Sequence, residues 1–340
     1  MNVLAFFVFL GLTTLADAAD FKPVLGPIDL PRPHAAHREY GTEWWYFTGH
    51  LESSAGRTFG FELTFFRVGL REKRLSNWEA QSLIVSHFAL TDDQNGRFFF
   101  SDERERESFE QAGASDEGLN VWLKNWRASL VGNEIRLEAE DTEKSLKLAF
   151  SSEKPLVLHG DRGFSKKGPL PGEASIYSSL TRLKGGGQLS LGTENFKITQ
   201  ATAWMDHEFF TTDDQKGAKG WDWFALQLSN GEELMLYQLR DAAGNVTEFS
   251  SGTLIKADGS SAPITQIKIE TLGRWKSPKT AIVYPNQWKI SLPGYELEVI
   301  PTIPNQEITG GNTTGVSYWE GRSIVSGTHS GQAYVELVGY

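Results

Sequence analysis

Cysteine is absent from all 340 residues. No disulfide framework, thiol nucleophile, thiolate metal site or lipid-bearing N-terminal cysteine is therefore available, and stability must come from the packed core. Basic charge is also short. Only 33 Lys and Arg stand against 43 Asp and Glu, a formal net charge of −10, and the basic residues form no stripe. Such a chain cannot neutralise a phosphate backbone, so nucleic acid is excluded as the expected partner. Beyond the N-terminus no apolar run approaches the roughly 20 residues needed to cross a bilayer. Helical periodicity is nearly missing too: only residues 75–86 suggest a short helix, and residues 82–90 read better as a strand. There is no Gly-x-Ser-x-Gly elbow, phosphate-binding loop or dinucleotide-binding glycine pattern, which removes three large enzyme classes.

What is present is aromatic and alternating. The chain carries 21 Phe, 11 Trp and 9 Tyr, a load that suits a large packed barrel or an aromatic-lined cavity without choosing between them. Period-two stretches such as Phe59-Gly-Phe-Glu-Leu-Thr-Phe65 and Tyr295-Glu-Leu-Glu-Val-Ile300 predict half-buried strands. Turn signals separate them at Asn95-Gly96, Gly132-Asn133, Gly185-Gly-Gly187, Asn230-Gly231, Gly244-Asn245 and Asp258-Gly259. The result is an all-β chain of antiparallel hairpins. At the N-terminus, an apolar run followed by Ala16 and Ala18 in a small-x-small pattern resembles a secretory signal peptide cut after Ala18. Residues 1–18 are thus expected to be removed, leaving an exported protein, periplasmic or secreted.

A weak internal repeat keeps its order. Trp44-Trp-Tyr-Phe47 parallels Trp221-Asp-Trp-Phe224, with strands ending near Arg67 and Arg240; Trp126-Arg-Ala-Ser-Leu130 parallels Trp288-Lys-Ile-Ser-Leu292; Ser175-Ile-Tyr177 parallels Ser317-Tyr-Trp319. Duplication predicts two tandem lipocalin-like barrels, residues 19–195 and 196–340, each of ordinary domain size. Closure removes exposed strand edges, and eight strands enclose about one small ligand. A pair of sandwiches is the second architecture.

The stretches His37-Arg-Glu-Tyr-Gly-Thr-Glu-Trp-Trp-Tyr-Phe-Thr-Gly-His-Leu51, Lys154-Pro-Leu-Val-Leu-His-Gly-Asp161, Ala203-Trp-Met-Asp-His-Glu-Phe209, Gly220-Trp-Asp-Trp-Phe-Ala-Leu-Gln-Leu228, Tyr318-Trp-Glu-Gly321 and Glu336-Leu-Val-Gly-Tyr340 span nearly the whole mature chain. Together they resemble the AttH-like and carotenoid 1,2-hydratase (hydroxyneurosporene synthase) family. The resemblance implies two calycin-type barrels packed together with an apolar ligand in or between them. It also implies cofactor-free addition of water to an isoprenoid double bond as one activity of the family, and cycloaddition as another. Phe209 stands where many members carry Trp.

Alternation on a strand puts Trp204, Asp206 and Glu208 on one face and Met205, His207 and Phe209 on the other. Two carboxyls beside an indole, facing an apolar cavity, would have raised pKa values, and unlike surroundings would separate an acid from a base. Hydrating an alkene needs a proton donor, support for a carbocation and a base for water; aromatic faces supply the second through cation–π attraction. Asp206, Glu208 and Glu43 are candidate acids or bases with His207 nearby, and Trp44, Trp45, Tyr46, Trp204, Trp221, Trp223, Tyr177 and Trp319 are candidate ligand walls. Glu43 and Asp222, one per repeat, have Arg67 and Arg240 as natural partners and so also read as barrel-closing elements. Asp206-His207-Glu208 has no counterpart in the second repeat, which makes it the better site. No metal is expected, because adjacent strand residues point apart and no second His lies at ligand spacing; no cofactor is needed. His34 and His37 read as loop residues, His87 as a hydrogen-bonded strand residue, and residues 159–168 as a loop that either gates the site, contacts the other barrel or merely connects.

Three functions follow: a hydratase-like enzyme acting on an isoprenoid or other lipid; a non-catalytic envelope carrier of such a lipid, with transient membrane contact for delivery; or an assembly scaffold. The partner in the first two is an apolar small molecule.

Overall fold

The computed structural model describes residues 21–70, 80–108, 110–211, 218–310, 313 and 315–340. The predicted signal segment and residues 75–79 of the suggested helix lie outside them, and the strand reading of residues 82–90 holds. Among the described residues there is no helix. The first sheet contains β1 (Thr42–Ser53), β2 (Thr58–Gly69), β3 (Ser82–Asp92), β4 (Arg97–Arg106), β5 (Ala112–Ala114), β6 (Asn120–Leu123), β7 (Trp126–Val131), β8 (Glu134–Glu140), β9 (Lys144–Ser152), β10 (Val157–Leu158), β11 (Phe164–Lys166), β12 (Ala174–Leu191) and β13 (Glu194–Phe210). The second contains β14 (Ala218–Leu228), β15 (Glu233–Asp241), β16 (Ser251–Ile255), β17 (Ser261–Ile264), β18 (Lys268–Lys276), β19 (Val283–Leu292), β20 (Tyr295–Pro301), β21 (Glu307–Thr309), β22 (Ser317–Gly327) and β23 (Gly331–Leu337).

Both sheets are antiparallel, and they curl into a barrel and a more open half-barrel, the two lipocalin-like units expected. The duplication shows in the topology. β1 lies between β2 and β13, the second and last strands of its sheet, and β14 lies likewise between β15 and β23. The change of sheet falls between Phe210 and Ala218 and not at 195/196, because β13 pairs along its whole length with β1 and β12 of the first barrel. The hairpin glycines at 96, 132, 231, 244 and 259 do adopt positive φ. Gly185-Gly-Gly187 is a correction: it is no turn but the middle of the 18-residue β12. A Cβ at Gly185 would sit 1.8 Å from the Ala149 carbonyl, so these glycines allow a bulge and a close approach of β9.

Aromatic side chains fill both interiors. Trp45, Phe47, Phe59, Phe61, Phe65, Phe88 and Trp126 belong to the first core, and Phe224, Trp288 and Trp319 to the second. The neighbouring positions on the same strands turn the other way, toward the partner barrel, where Tyr46, Tyr177, Trp204, Trp223 and Tyr237 form a third cluster. Strands such as β1 and β2 are therefore buried on both faces. Several polar ties cross between the barrels. Lys154 Nζ reaches Glu233 at 2.6 Å, Thr91 donates to Gln306 at 2.7 Å, and Arg322 binds both His50, at 3.0 Å, and Asp93.

Candidate functional site between the barrels

The expected site residues separate into two places, divided by strand alternation. Glu43 and His207 face inward at one end of the first barrel. Glu43 is opposite Arg67 in register and accepts its Nε at 2.8 Å. The same carboxylate meets His207 Nε2 at 2.9 Å and His37 Nδ1 at 3.1 Å, while His207 Nδ1 donates to the Pro33 carbonyl at 2.5 Å. Trp45 stacks on the His207 ring and donates to the His34 carbonyl. Burial disfavours the charge on Glu43, but Arg67, His207 and His37 outweigh it and hold the carboxyl well below its usual range. The second barrel repeats the device with other residues: Asp222 pairs with Arg240 at 3.2 Å and accepts the Tyr340 hydroxyl at 2.7 Å. Both predicted Arg–carboxylate partnerships are present.

The fold also brings together what sequence spacing did not. His37, Glu43 and His207 place three ligand-type atoms within 4.8 Å of one another, so a second His does lie within reach of His207. Each of those atoms already has a protein partner, and the Arg67 guanidinium occupies the other oxygen of the same carboxylate. The arrangement is that of a charged plug. Phe209, stacked on His37, belongs to this inward side as well.

Asp206 and Glu208 face the second barrel. Asp206 accepts hydrogen bonds from Tyr177 Oη at 2.6 Å, Trp204 Nε1 at 2.5 Å and the Ser179 hydroxyl. Trp223 Nε1, from β14, donates to the same Tyr177 oxygen at 2.9 Å. Burial pushes the Asp206 carboxyl up to about 7, against the pull of its three donors, and the Glu208 charge adds to the rise. Glu208 accepts from Ser175 and lies 3.2 Å from Lys167 Nζ. Although burial disfavours its charge, Glu208 and Tyr237 raise the Lys167 pKa, and the ammonium sits over the rings of Tyr177 and Tyr237. The loop over 159–168 does contact the other barrel: His159 spans Ser179 at 2.7 Å and Thr253 at 2.9 Å.

Three further carboxyls at this interface escaped the sequence reading. Glu320 accepts the Tyr46 hydroxyl at 2.5 Å, Glu336 accepts Trp221 Nε1 at 2.9 Å, and Glu62 is buried beside them. Burial pushes Glu62 up to about 8, and the nearby Thr64 hydroxyl offsets part of the rise without making a hydrogen bond of normal geometry. Burial and mutual repulsion raise Glu320 as well, and burial, with the charges of Asp206 and Glu208, takes Glu336 up to about 7. Glu62 was visible only as the polar member of an alternating strand, and Glu320 and Glu336 only as parts of the terminal motifs. Nothing local said that their face meets another barrel.

Of the aromatic candidates, Tyr46, Trp204, Trp221, Trp223 and Tyr177 reach this interface, and Trp44 packs at its margin against Phe66 and Phe210. Trp45 and Trp319 do not; they fill the two cores, and Trp319 Nε1 is bound to the Pro304 carbonyl at 2.8 Å. Between the barrels lies a small void of about 10 Å³ lined by Thr48, His50, Trp204, Ala225, Gln227 and Tyr334, room for about one water. A larger ligand enters only if side chains there shift.

Two packed lipocalin-like barrels with a buried, acid-rich aromatic seam define a two-domain calycin-type protein. The AttH-like family model matches residues 23–340, and the chain belongs to that family. No curated protein sequence matches it. Among solved structures, a protein from Nitrosomonas europaea carrying the AttH designation is similar, with 29% identity, a TM-score of 0.86 and coverage of 94% of this chain and 100% of that one. Kievitone hydratase from Nectria haematococca is 15% identical with a TM-score of 0.70, covering 94% of this chain and 98% of its own. CghA is 12% identical with a TM-score of 0.58, covering 94% and 97%. These last two likenesses are of fold.

Proposed function

We propose that the protein is a cofactor-independent hydratase that adds water to a double bond of an isoprenoid or similar apolar molecule held between the barrels. The observation that carries this reading is the unlike surroundings of Asp206 and Glu208. Asp206 has neutral donors and, among the described residues, no ion-pair partner, and it titrates near neutrality, while Glu208 faces the Lys167 ammonium. Environments that push neighbouring carboxyls apart assign acid and base. Protonated Asp206 gives its proton to the terminal alkene carbon, the π bond breaks, and the positive charge falls on the more substituted carbon. The faces of Trp204, Trp223 and Tyr46 support that cation, at about 2 kcal/mol for a desolvated cation–π contact. Water oxygen then bonds to the cation and loses its proton to the Glu208 carboxylate. Fold neighbours that include a named hydratase are consistent with this chemistry. The filled barrel interiors argue against the ordinary lipocalin ligand position.

Export belongs to the same proposal, with the signal segment removed after Ala18 and the ligand taken up at a membrane surface. The test is to purify the protein from its native host, identify co-extracted molecules by mass spectrometry and follow their conversion. Asp206→Asn and Glu208→Gln should each slow turnover by about 10²-fold or more without loss of binding. A ligand retained unchanged by the wild type would make the protein a carrier.

A further inference from the structure

Buried polar atoms without partners gather at one place on the seam. Thr48 Oγ1, both carboxyl oxygens of Glu62, Thr64 Oγ1 and His87 Nε2 are buried and make no hydrogen bond among the described residues. Strand register sets them side by side. Glu62 pairs with Thr48 across β1 and β2, and Thr64 pairs with His87 across β2 and β3. Their face is the one turned to the second barrel, since His87 Nδ1 lies 2.7 Å from the Tyr318 hydroxyl and Tyr46, the other register partner of Thr64, reaches Glu320. Native interiors leave few such atoms unsatisfied, so this concentration marks a place built to meet a polar group.

Charge and hydrogen-bond roles define that group. Glu62 repels Glu320, and Glu336 repels both, so a carboxylate or phosphate head is disfavoured. His87 is neutral, because burial lowers its pKa to about 3. The Tyr318 hydroxyl, 2.7 Å from Nδ1, can donate or accept, so Nε2 faces the site as an acceptor in one tautomer of the neutral ring and as a donor in the other. An ammonium only donates and so meets one of these tautomers. A hydroxyl both donates and accepts. We infer that Glu62, Thr64 and His87 form the seat of a neutral hydroxyl group, the polar end of an alcohol or phenol whose apolar body lies along the aromatic seam. This rests on the reading of the seam as a ligand site and names the class of molecule that it takes.

The test compares four C15 probes on the intact protein at pH 7: farnesol, the hydrocarbon farnesene, farnesoic acid and farnesylamine. Binding is followed by native mass spectrometry and tryptophan fluorescence. The seat predicts that farnesol binds roughly tenfold or more tighter than each of the others, about the worth of one or two satisfied hydrogen bonds. Thr64→Val removes a hydroxyl that makes no hydrogen bond of normal geometry in the fold, so it should melt close to the wild type yet lose much of the preference for farnesol while farnesene binding is kept. Equal affinity for farnesol and farnesene, or preference for the acid or the amine, overturns the seat and leaves the hydratase reading standing. Failure of all four to bind overturns both.

Discussion

The Tyr177 hydroxyl donates to Asp206 at 2.6 Å and thereby ties a first-barrel carboxyl to the second barrel, whose Trp223 donates to the same phenol oxygen. Removing that hydroxyl leaves Asp206 with one donor fewer. Since the donor favours the ionised form, Tyr177→Phe should move the Asp206 pKa upward from about 7. The limb of the pH–rate profile set by Asp206 shifts to higher pH, and kcat falls more than substrate binding weakens. A profile unmoved by the substitution would separate Tyr177 from the chemistry.

Stability should fall as the medium turns from mildly acidic to mildly alkaline. The pKa values of Asp206, Glu62, Glu320 and Glu336 are all raised, three of them to between about 7 and 8. The folded state therefore holds protons that the unfolded chain has already released above its ordinary carboxyl pKa. That advantage is complete below about pH 4 and is lost as pH climbs through the folded values. Glu43 acts in the opposite sense: its lowered pKa gives stability present above the ordinary carboxyl range and lost in acid. Thermal melting should peak near pH 5 and decline toward pH 8, a decline that Glu62→Gln makes shallower.

The two Arg–carboxylate plugs should differ in weight. Arg67 and Glu43 are 1% and 0% exposed, and breaking a buried pair by removing one partner costs about 3–5 kcal/mol. Arg67→Met should lower the unfolding free energy by that order, measured by denaturant titration. Arg240→Met should cost less, because Tyr340 continues to donate to Asp222. Activity per folded molecule at low temperature should survive both changes, as neither plug faces the seam.

Lys154 anchors one barrel on the other through Glu233, which Arg182 also binds. Lys154→Met leaves a fully buried carboxylate with one cation and should lower the melting temperature while the far-ultraviolet spectrum of the sheets stays unchanged. An unaltered melting temperature would show that the aromatic seam and the other polar ties hold the barrels together without Lys154.

The period-two pattern made the strands legible, and the turn glycines placed most hairpins, because both are local properties. The repeat made the duplication legible, and the Arg67 and Arg240 positions disclosed the plugs before any contact was known. The glycine run at 185–187 misled because glycine serves a close strand approach as readily as a turn. His87 is the hydrogen-bonded strand residue expected, but its grouping with Glu62 was hidden for a different reason: alternation predicts two faces but not what each face meets, and here the polar face meets a second barrel instead of water. The grouping of His37 with Glu43 and His207 depended on a loop whose path no periodicity encodes.

In the hydratase proposed above, the inter-barrel carboxyls move protons on and off a bound apolar molecule. Incubating the protein with its co-purified molecule in D₂O and analysing the products by mass spectrometry tests that directly. Deuterium is expected on carbon in the wild-type reaction, and none in Asp206→Asn with binding intact. Labelling at the same rate in the variant, or no labelling of carbon by the wild type, would contradict it.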